Sequence, residues 1–346
     1  MTDPAQDPPR GEEPPLTRAD ARRAAEGSPL YDHVRAARSE FEHQVDRARA
    51  DFDRARADFE HVNERINERT GRPLLMAILI GVGIGAVVLA SLLLVKWAFL
   101  LFAVPVCLLG IFEFSRALQT AGRRIDVWPQ LAAGAVILLS GALLGHWTHW
   151  VLTFASVAAV IVWRLIAQMA AGDGRRYGEV VTDVLVTGFV PIYVPFLASL
   201  ALVLLRKDQG ELWVLGMIVT VVAADTGAYA SGLAFGRHPM APRISPKKTW
   251  EGFAGGAALT AVVGVAYGLF VLHIPWWAGL VFGLVMLGFA TVGDLSESMI
   301  KRDLGIKDMS SWLPGHGGVL DRLDSILPSA GAALALYFFF FPLVSS

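Results

Sequence analysis

The segment that decides the fold spans residues 275–296 and reads PWWAGLVFGLVMLGFATVGDLS. About 20 consecutive apolar residues in a helix are enough to cross the hydrocarbon core of a bilayer. The segment also carries Asp294 near its end, and a carboxylate beside hydrocarbon is a functional hypothesis by default because it is costly there. The segment therefore predicts a membrane-spanning helix that leads into a polar site.

Eight further apolar segments accompany this one along the chain. They cover residues 74–95, 97–118, 127–145, 147–170, 181–205, 212–234, 252–273 and 325–344. Of the 346 residues, 54% are hydrophobic, and a soluble domain has no need of so many long apolar segments. The sequence predicts an all-α integral membrane protein with about nine transmembrane helices. The first two segments are separated only at Lys96, so they could instead form one broken element.

Basic residues are distributed unevenly between the two sets of loops. With the amino terminus inside, the inward loops carry thirteen Lys and Arg residues, whereas the outward loops carry only Lys96, Arg206 and Lys207. Loops rich in Lys and Arg stay on the cytoplasmic side of a membrane. We therefore expect a multi-pass protein of the inner or plasma membrane with a cytoplasmic amino terminus. The single cysteine, Cys107, excludes an intrachain disulfide.

The chain before the first apolar segment is polar and charged. Residues 1–30 have the composition of a disordered tail, and 73–346 form the predicted polytopic catalytic domain. Over 31–72, apolar residues such as Phe41, Val45 and Phe52 recur at spacings of four and three, which is a heptad pattern. It predicts a cytosolic helix that either forms a coiled coil or lies on the membrane surface. A coiled coil could join two copies of the chain in a homodimer.

Charge is concentrated between the last two apolar segments, in residues 298–324. On a helix, Asp294, Glu297, Ser298 and Lys301 share one face because they are separated by three, four and seven residues. A flexible Pro-Gly-His-Gly-Gly loop follows at 314–318, and Asp321, Arg322 and Asp324 then open the ninth helix. Asp321 alone could be a helix cap. Together with the preceding carboxylates it exceeds what capping requires, and two carboxylates across a Gly-rich loop are well placed to hold a metal.

Two earlier stretches add polar residues to the inward side. Asp225 lies within the sixth apolar segment with Tyr229 one turn further on, although pairing with an Arg would also explain it. Lys247 and Lys248, followed by Thr249, form a cluster of phosphate-sized donors, although ordinary attraction to anionic lipid would explain two lysines as well. Acidic side chains on two helices and basic side chains in two loops fit phosphoryl or nucleotidyl transfer to a lipid.

These residues resemble a known family, the phosphatidate cytidylyltransferases, also called CDP-diacylglycerol synthases. The diagnostic pattern is matched by Ser298-x-x-Lys301-Arg302, by Lys307-Asp308, and by Pro314-x-His316-Gly317-Gly318-x-x-Asp321-Arg322-x-Asp324. The stretches Asp225–Tyr229 and Ser245–Gly252 agree as well. The resemblance covers 225–324 closely and 74–344 through the number of segments, but it does not extend to 1–72.

The resemblance implies a reaction and roles for individual residues. The reaction is the transfer of CMP from CTP to phosphatidate, with Mg²⁺ and with a second cation left open. Asp294 and Asp321 resemble the metal-holding carboxylates. The implied catalytic residues are these two with Lys301 and Arg302. The implied substrate-binding residues are Asp225, Tyr229, Ser245, Lys247, Lys248, Thr249, Lys307, Asp308, His316, Gly317, Gly318, Arg322 and Asp324.

Three alternatives stay open from the sequence. An enzyme acting on a different lipid, such as a polyprenol kinase or another cytidylyltransferase, would share much of this chemistry. A transporter would also place carboxylates in membrane helices, but it is expected to show internal repeats and charge near the midplane. A structural scaffold would explain the heptads but not the acidic residues. No nucleic-acid partner is expected, and no P-loop motif occurs in the sequence.

Overall fold

The computed structural model describes residues 74–94, 96–172, 174–306, 309–310 and 318–344. The described helices lie almost entirely within the unit Met76–Ser346. The predicted tail and the predicted heptad helix lie outside the described residues and stay predictions. Within the described ranges most residues are helical and the strands are two short ones, so the all-α class is confirmed.

The helices follow one another with short connections. In chain order they are α1 (Leu74–Leu94), α2 (Lys96–Thr120), α3 (Val127–Leu143), α4 (His146–Ala171), α5 (Tyr177–Pro191), a π-helical turn (Ile192–Phe196), α6 (Leu197–Leu205), α7 (Gly210–Phe235), α8 (Trp250–Phe270), α9 (Trp276–Asp303), α10 (Leu320–Leu323), α11 (Ile326–Phe340) and a final 3₁₀ turn (Phe341–Leu343). Two short strands, β1 (Pro239–Ala241) and β2 (Ser245–Thr249), lie between α7 and α8.

Seven helical stretches are long and apolar enough to cross a membrane. Among the described residues these are Lys96–Thr120, His146–Ala171, Tyr177–Leu205, Gly210–Phe235, Trp250–Phe270, Trp276–Asp303 and Leu320–Leu343. The protein is therefore a multi-pass membrane protein. The two remaining predicted segments are also helical but are not among these seven: Val127–Leu143 has only 17 residues, and α1 is apolar throughout Leu74–Leu94. A count of nine spans consequently stays a prediction.

Close packing of backbone joins α8 to α9. A methyl group added at Gly264 would stand 2.5 Å from the carbonyl oxygen of Gly279, and one at Gly283 would stand 2.3 Å from that of Thr260. Helices in a membrane associate through such small-residue contacts because lipid tails offer no hydrophobic driving force between helices. The contact fixes the helix that follows β2 against the helix that carries Asp294.

The loop before α8 forms a hairpin, which the sequence did not predict. β1 and β2 pair antiparallel, with Pro239 opposite Thr249 and Ala241 opposite Ser245. Thr249 then caps α8, since its Oγ1 accepts a hydrogen bond of 3.1 Å from the N–H of Gly252. Successive side chains on a strand point to opposite faces, so Lys247 and Lys248 are directed apart.

The fifth predicted span is interrupted at its centre. α5 and α6 are joined by the π-helical turn, which is flanked by Pro191 and contains Pro195. Proline has no N–H for the i→i−4 hydrogen bond, and a π-turn is one way in which a helix accommodates the loss. The turn carries Tyr193 toward the interior of the bundle, where only 6% of the residue is exposed.

Candidate active site

The carboxyl-terminal half of α9 presents a row of polar side chains on one face, as the spacing predicts. Ser298 Oγ donates to Asp294 Oδ1 at 3.3 Å, and Lys301 Nζ donates to Glu297 Oε2 at 3.0 Å. Both pairs are four residues apart, which is the separation at which helical side chains meet. Asp294 lies nine residues before the end of α9 at Asp303, or roughly 13 Å along the axis. The row therefore reaches into the depth of the bundle.

The hairpin delivers one lysine to this row. Lys248 Nζ lies 2.6 Å from Asp294 Oδ2, with both side chains about a quarter to a third exposed. Lys247 is exposed on the opposite face of the strand. Of the two predicted phosphate donors, the structure brings only Lys248 into contact with the acidic cluster.

Asp321 on α10 is enclosed by hydrogen-bond donors. Its Oδ1 accepts from Lys301 Nζ at 2.9 Å, and its Oδ2 accepts from the backbone N–H of Gly318 at 2.7 Å and of Met309 at 3.2 Å. Lys301 thus bridges Glu297 and Asp321, and it connects α9 to the start of the last membrane segment. Charge-assisted hydrogen bonds of this kind are about twice as strong as neutral ones.

Glu113 on α2 belongs to the same region, although the sequence did not lead us to predict it. The residue is 2% exposed; its Oε1 accepts from Ser310 Oγ at 2.5 Å, and its Oε2 accepts from the N–H of Leu320 at 3.0 Å. A methyl group added at Gly318 would lie 2.8 Å from Oε2, so a side chain at this position would require the Glu113 carboxylate to move. Glu113 therefore binds Ser310 and Leu320, which are the sequence neighbours of Met309 and Asp321. A carboxylate inside the apolar segment 97–118 was the signal that could have identified it.

Asp225, Asp324 and Arg322 complete the cluster through electrostatic interactions. Asp225 on α7 is exposed and interacts with the charges of Asp324, Asp294, Lys248 and Arg322. Asp324 Oδ1 accepts from the N–H of Ser325 at 2.6 Å. The cluster thus draws on α7, β2, α9 and α10, which is the gathering that the sequence predicted for residues far apart in the chain.

The remaining predicted residues have varied surroundings. Tyr229 is exposed one turn after Asp225, and Ser245 begins β2. Arg302 Nε donates to the carbonyl oxygen of Ile244 at 3.2 Å, which ties the end of α9 to the hairpin. Four predicted residues lie outside the described residues, and their roles stay predictions: Lys307, Asp308, His316 and Gly317.

The cluster has the charge and the ligand chemistry for a divalent cation. Among the described residues, no three His, Cys, Asp or Glu side chains stand close enough to hold a metal ion together. Acidic side chains nevertheless outnumber basic ones in the cluster by five to three; the eight residues are Asp225, Asp294, Glu297, Asp321, Asp324, Lys248, Lys301 and Arg322. Oxygen ligands of this type are those that Mg²⁺ prefers.

One carboxylate oxygen of the cluster is unused. Glu297 has a fully buried side chain, and its Oε1 has no hydrogen-bond partner in the part of the chain that the structure describes. The carboxyl groups of Glu297 and Asp324 are in contact, and a hydrogen bond between them requires that one of the two carries a proton. Leaving a buried acceptor without a partner costs about 1–3 kcal/mol, so the arrangement is one that a bound cation or donor would stabilise.

Comparison with known proteins agrees with this chemistry. The sequence model of the cytidylyltransferase family matches residues 75–340. A phosphatidate cytidylyltransferase of Mycobacterium bovis is 39% identical over 280 residues, which cover 77% of this chain and 88% of the relative. The one of Mycobacterium leprae is 36% identical over the same shares, and that of Brucella suis is 34% identical over 248 residues, with 70% and 83% covered.

Proposed function

The chain belongs to the cytidylyltransferase family, and we propose that it transfers CMP from CTP to phosphatidate, giving CDP-diacylglycerol and pyrophosphate. The assignment to this family rests on a match over most of the membrane domain. The proposed substrates are taken from the names of the relatives. The observation that carries the proposal is the pairing of acidic and basic side chains within a membrane bundle. In the pairs of Lys248 with Asp294 and of Lys301 with Glu297 and Asp321, side chains of the type that binds phosphate lie beside side chains of the type that binds a cation.

The transfer consists of a single exchange of bonds at phosphorus. A phosphate oxygen of phosphatidate forms a bond to the α-phosphorus of CTP, and the bond from that phosphorus to the oxygen bridging to the β-phosphate breaks. Pyrophosphate leaves with the electron pair of the broken bond. Because the attacking phosphate is ionised near neutral pH, the reaction needs no strong general base, and His316 is proposed to position substrate.

The chain's own residues would bind and orient the two substrates. Lys248 is proposed to exchange its contact with Asp294 for one with the triphosphate, and Lys301 is placed to do the same between Glu297 and Asp321. Three exposed cations are proposed as further phosphate ligands: Lys247, Arg302 and Arg322. Lys307, which lies outside the described residues, is proposed for the same role from the family pattern alone. In such reactions a protein acts mainly by positioning groups and screening charge.

Asp294 and Asp321 are proposed to hold Mg²⁺, which when bound supplies neutralisation of the charge that develops on the departing pyrophosphate. The two carboxylates fit this role because they offer oxygen ligands in a cluster where acidic side chains outnumber basic ones. The partners of Asp321 are two backbone N–H groups and Lys301, so binding of a cation at its oxygens requires these donors to be displaced in part. Whether a second cation is used is a separate question for metal titration.

The orientation of the site follows from the distribution of basic residues. We propose that the amino terminus and the acidic cluster face the cytosolic side of the inner or plasma membrane, where CTP is available. The outer end would then carry Lys96, Arg206 and Lys207, together with exposed tryptophans such as Trp97 and Trp147. Tryptophans at helix ends are typical of the membrane interface.

The proposed function is tested with purified protein in mixed micelles that contain phosphatidate, Mg²⁺ and CTP. We expect release of pyrophosphate together with formation of a nucleotide-bearing lipid. Use of ATP in place of CTP, or product formation without phosphatidate, would contradict the proposal. Asp294→Asn is the matched inactive control, because it preserves shape while removing the charge that pairs with Lys248.

A further inference from the structure

A cavity lies at the end of the bundle opposite the acidic cluster. α2 runs from Lys96 at this end to Glu113, which binds the residue beside Asp321, and the 17 residues of helix between them span roughly 25 Å. The cavity has a volume of about 250 Å³ and opens to the protein surface at Trp97, which is 64% exposed. Ligand pockets in proteins begin at about 300 Å³, so this cavity is large enough to take part of a lipid.

Basic side chains from two distant parts of the chain meet at this cavity. Lys96 at the start of α2 and Arg206 at the end of α6 both line it. Arg206 also lines a second cavity, of about 430 Å³, together with Lys207 and Asp208. Glu211 Oε2 lies 2.5 Å from Lys96 Nζ. Basic side chains therefore outnumber acidic ones here by three to two, and they are the three that the sequence placed in the outward loops.

The hydrogen bonds of Arg206 and Lys207 are made with uncharged groups. The Arg206 guanidinium group donates to the carbonyl oxygen of Leu144 and, at 3.3 Å, to that of Gly141. Lys207 Nζ lies 2.8 Å from His146 Nε2, and an imidazole nitrogen that accepts from an ammonium group carries no proton. Acceptors of this kind orient a cation without neutralising it. The positive charge at the cavity is thus fixed in place and open to an anion.

Apolar side chains line the cavity one helical turn deeper than the cations. Leu100 follows Lys96 by four residues on α2, and it therefore lies about 6 Å further into the bundle. Leu202 precedes Arg206 by four residues on α6 and lies deeper by the same distance. The exposed Trp97 completes the wall, and tryptophans at helix ends mark the depth of the lipid headgroups. Charge above an apolar wall is the order of phosphate and acyl chain in a phospholipid.

We propose that this cavity binds an anionic phospholipid from the leaflet at this end of the protein. The lipid phosphate accepts hydrogen bonds from Arg206 and Lys96, and one acyl chain begins between Trp97, Leu100 and Leu202. A guanidinium group suits this role because its donors match the oxygens of a phosphate, and basic pockets between membrane helices bind lipid headgroups. The bound lipid joins α2 to α6 and stabilises the folded protein, and it takes no part in CMP transfer.

The test measures thermal unfolding of the purified protein in an uncharged detergent without CTP. Dioleoyl phosphatidylglycerol should raise the midpoint by about 5 °C at about a hundredfold excess over its Kd, because it binds only the folded state. Dioleoyl phosphatidylcholine supplies the same chains with a headgroup of no net charge, and inorganic phosphate supplies an anion without chains. Both should leave the midpoint nearly unchanged.

Two variants test where the lipid binds. Arg206→Gln removes the charge, and Ala142→Phe fills the cavity from α3 without changing any charge. In both, the rise caused by phosphatidylglycerol should be largely lost, measured against the midpoint of the same variant without lipid. Lys96→Gln takes the place of Arg206→Gln if that variant does not fold. Arg243→Gln is the matched control because it removes an exposed cation from the hairpin at the other end of the bundle, and it should keep the full rise.

Four results would overturn the proposal. The first is a wild-type midpoint that phosphatidylglycerol does not raise. An equal rise with phosphatidylcholine would show that acyl chains alone are bound, and an equal rise with inorganic phosphate would show a site for any small anion. The fourth is a full rise in both Arg206→Gln and Ala142→Phe, which would place the lipid elsewhere. Because no CTP is present, these results leave the proposed function to be decided by its own assay.

Discussion

Replacing Glu113 by alanine tests how the segment around Asp321 is held. The change removes the acceptor for the N–H of Leu320 at 3.0 Å and for Ser310 Oγ at 2.5 Å. Leu320 is fully buried, so its unpaired N–H costs about 1–3 kcal/mol, and losing the bond from Ser310 adds about 1 kcal/mol. We expect a loss of about 2–4 kcal/mol in unfolding free energy.

Activity should fall as well, because Leu320 directly precedes Asp321. The assays are thermal or denaturant unfolding in detergent and kcat with CTP and phosphatidate; we expect kcat to fall at least about tenfold, because a small displacement of a catalytic group has large effects. Glu179→Ala is the control, since Glu179 is exposed in the first turn of α5. If Glu113→Ala matches Glu179→Ala in both stability and kcat, the reasoning about this segment is refuted.

Three further predictions concern the cluster and the amino-terminal region. Lys248→Ala should raise KM for CTP by about ten- to a hundredfold, because it removes the partner of Asp294 that is proposed to contact the triphosphate. Lys247→Ala should change KM by less than about fivefold. Equal effects of the two variants in steady-state kinetics would contradict the strand geometry. Asp321→Asn should abolish turnover and also lower the unfolding midpoint, since its amide group would face N–H donors; a fully active variant would remove Asp321 from the site. Deleting residues 1–70 should spare kcat, and an inactive but folded truncation would show that this region contributes to catalysis.

Much of the fold was predictable because membrane helices are determined by long apolar segments. Each predicted segment is helical among the described residues, since a chain in hydrocarbon must satisfy its own backbone hydrogen bonds. The hairpin before α8 was not predictable in the same way. Its sequence, SPKKT in β2, has neither the alternation nor the β-branched content that normally identifies a strand.

The candidate site was predictable where its residues share one helix or one motif. Asp294, Glu297, Ser298 and Lys301 face the same way because their spacing on α9 requires it. The sequence alone could not determine that Lys301 bridges two carboxylates, because that depends on how α10 packs against α9.

Two contributions came from parts of the chain without a motif. Glu113 lies more than 190 residues before the segment that it holds, and only its charge within an apolar helix distinguishes it. Tyr193 lies between Pro191 and Pro195, which indicate an irregular helix, but the packing of its ring against Phe189 and Phe114 depends on the tertiary structure. Residues of this kind are found from tertiary contacts and not from sequence spacing.

The most direct measurement of the central claim follows the individual phosphates of CTP into the products. With Mg²⁺ and phosphatidate present, the protein should transfer label from [α-³²P]CTP into lipid and label from [γ-³²P]CTP into pyrophosphate. Lys248→Ala should weaken both transfers in parallel, because it acts on nucleotide binding. Appearance of the γ-label in lipid would identify a lipid kinase and would contradict cytidylyl transfer at this site.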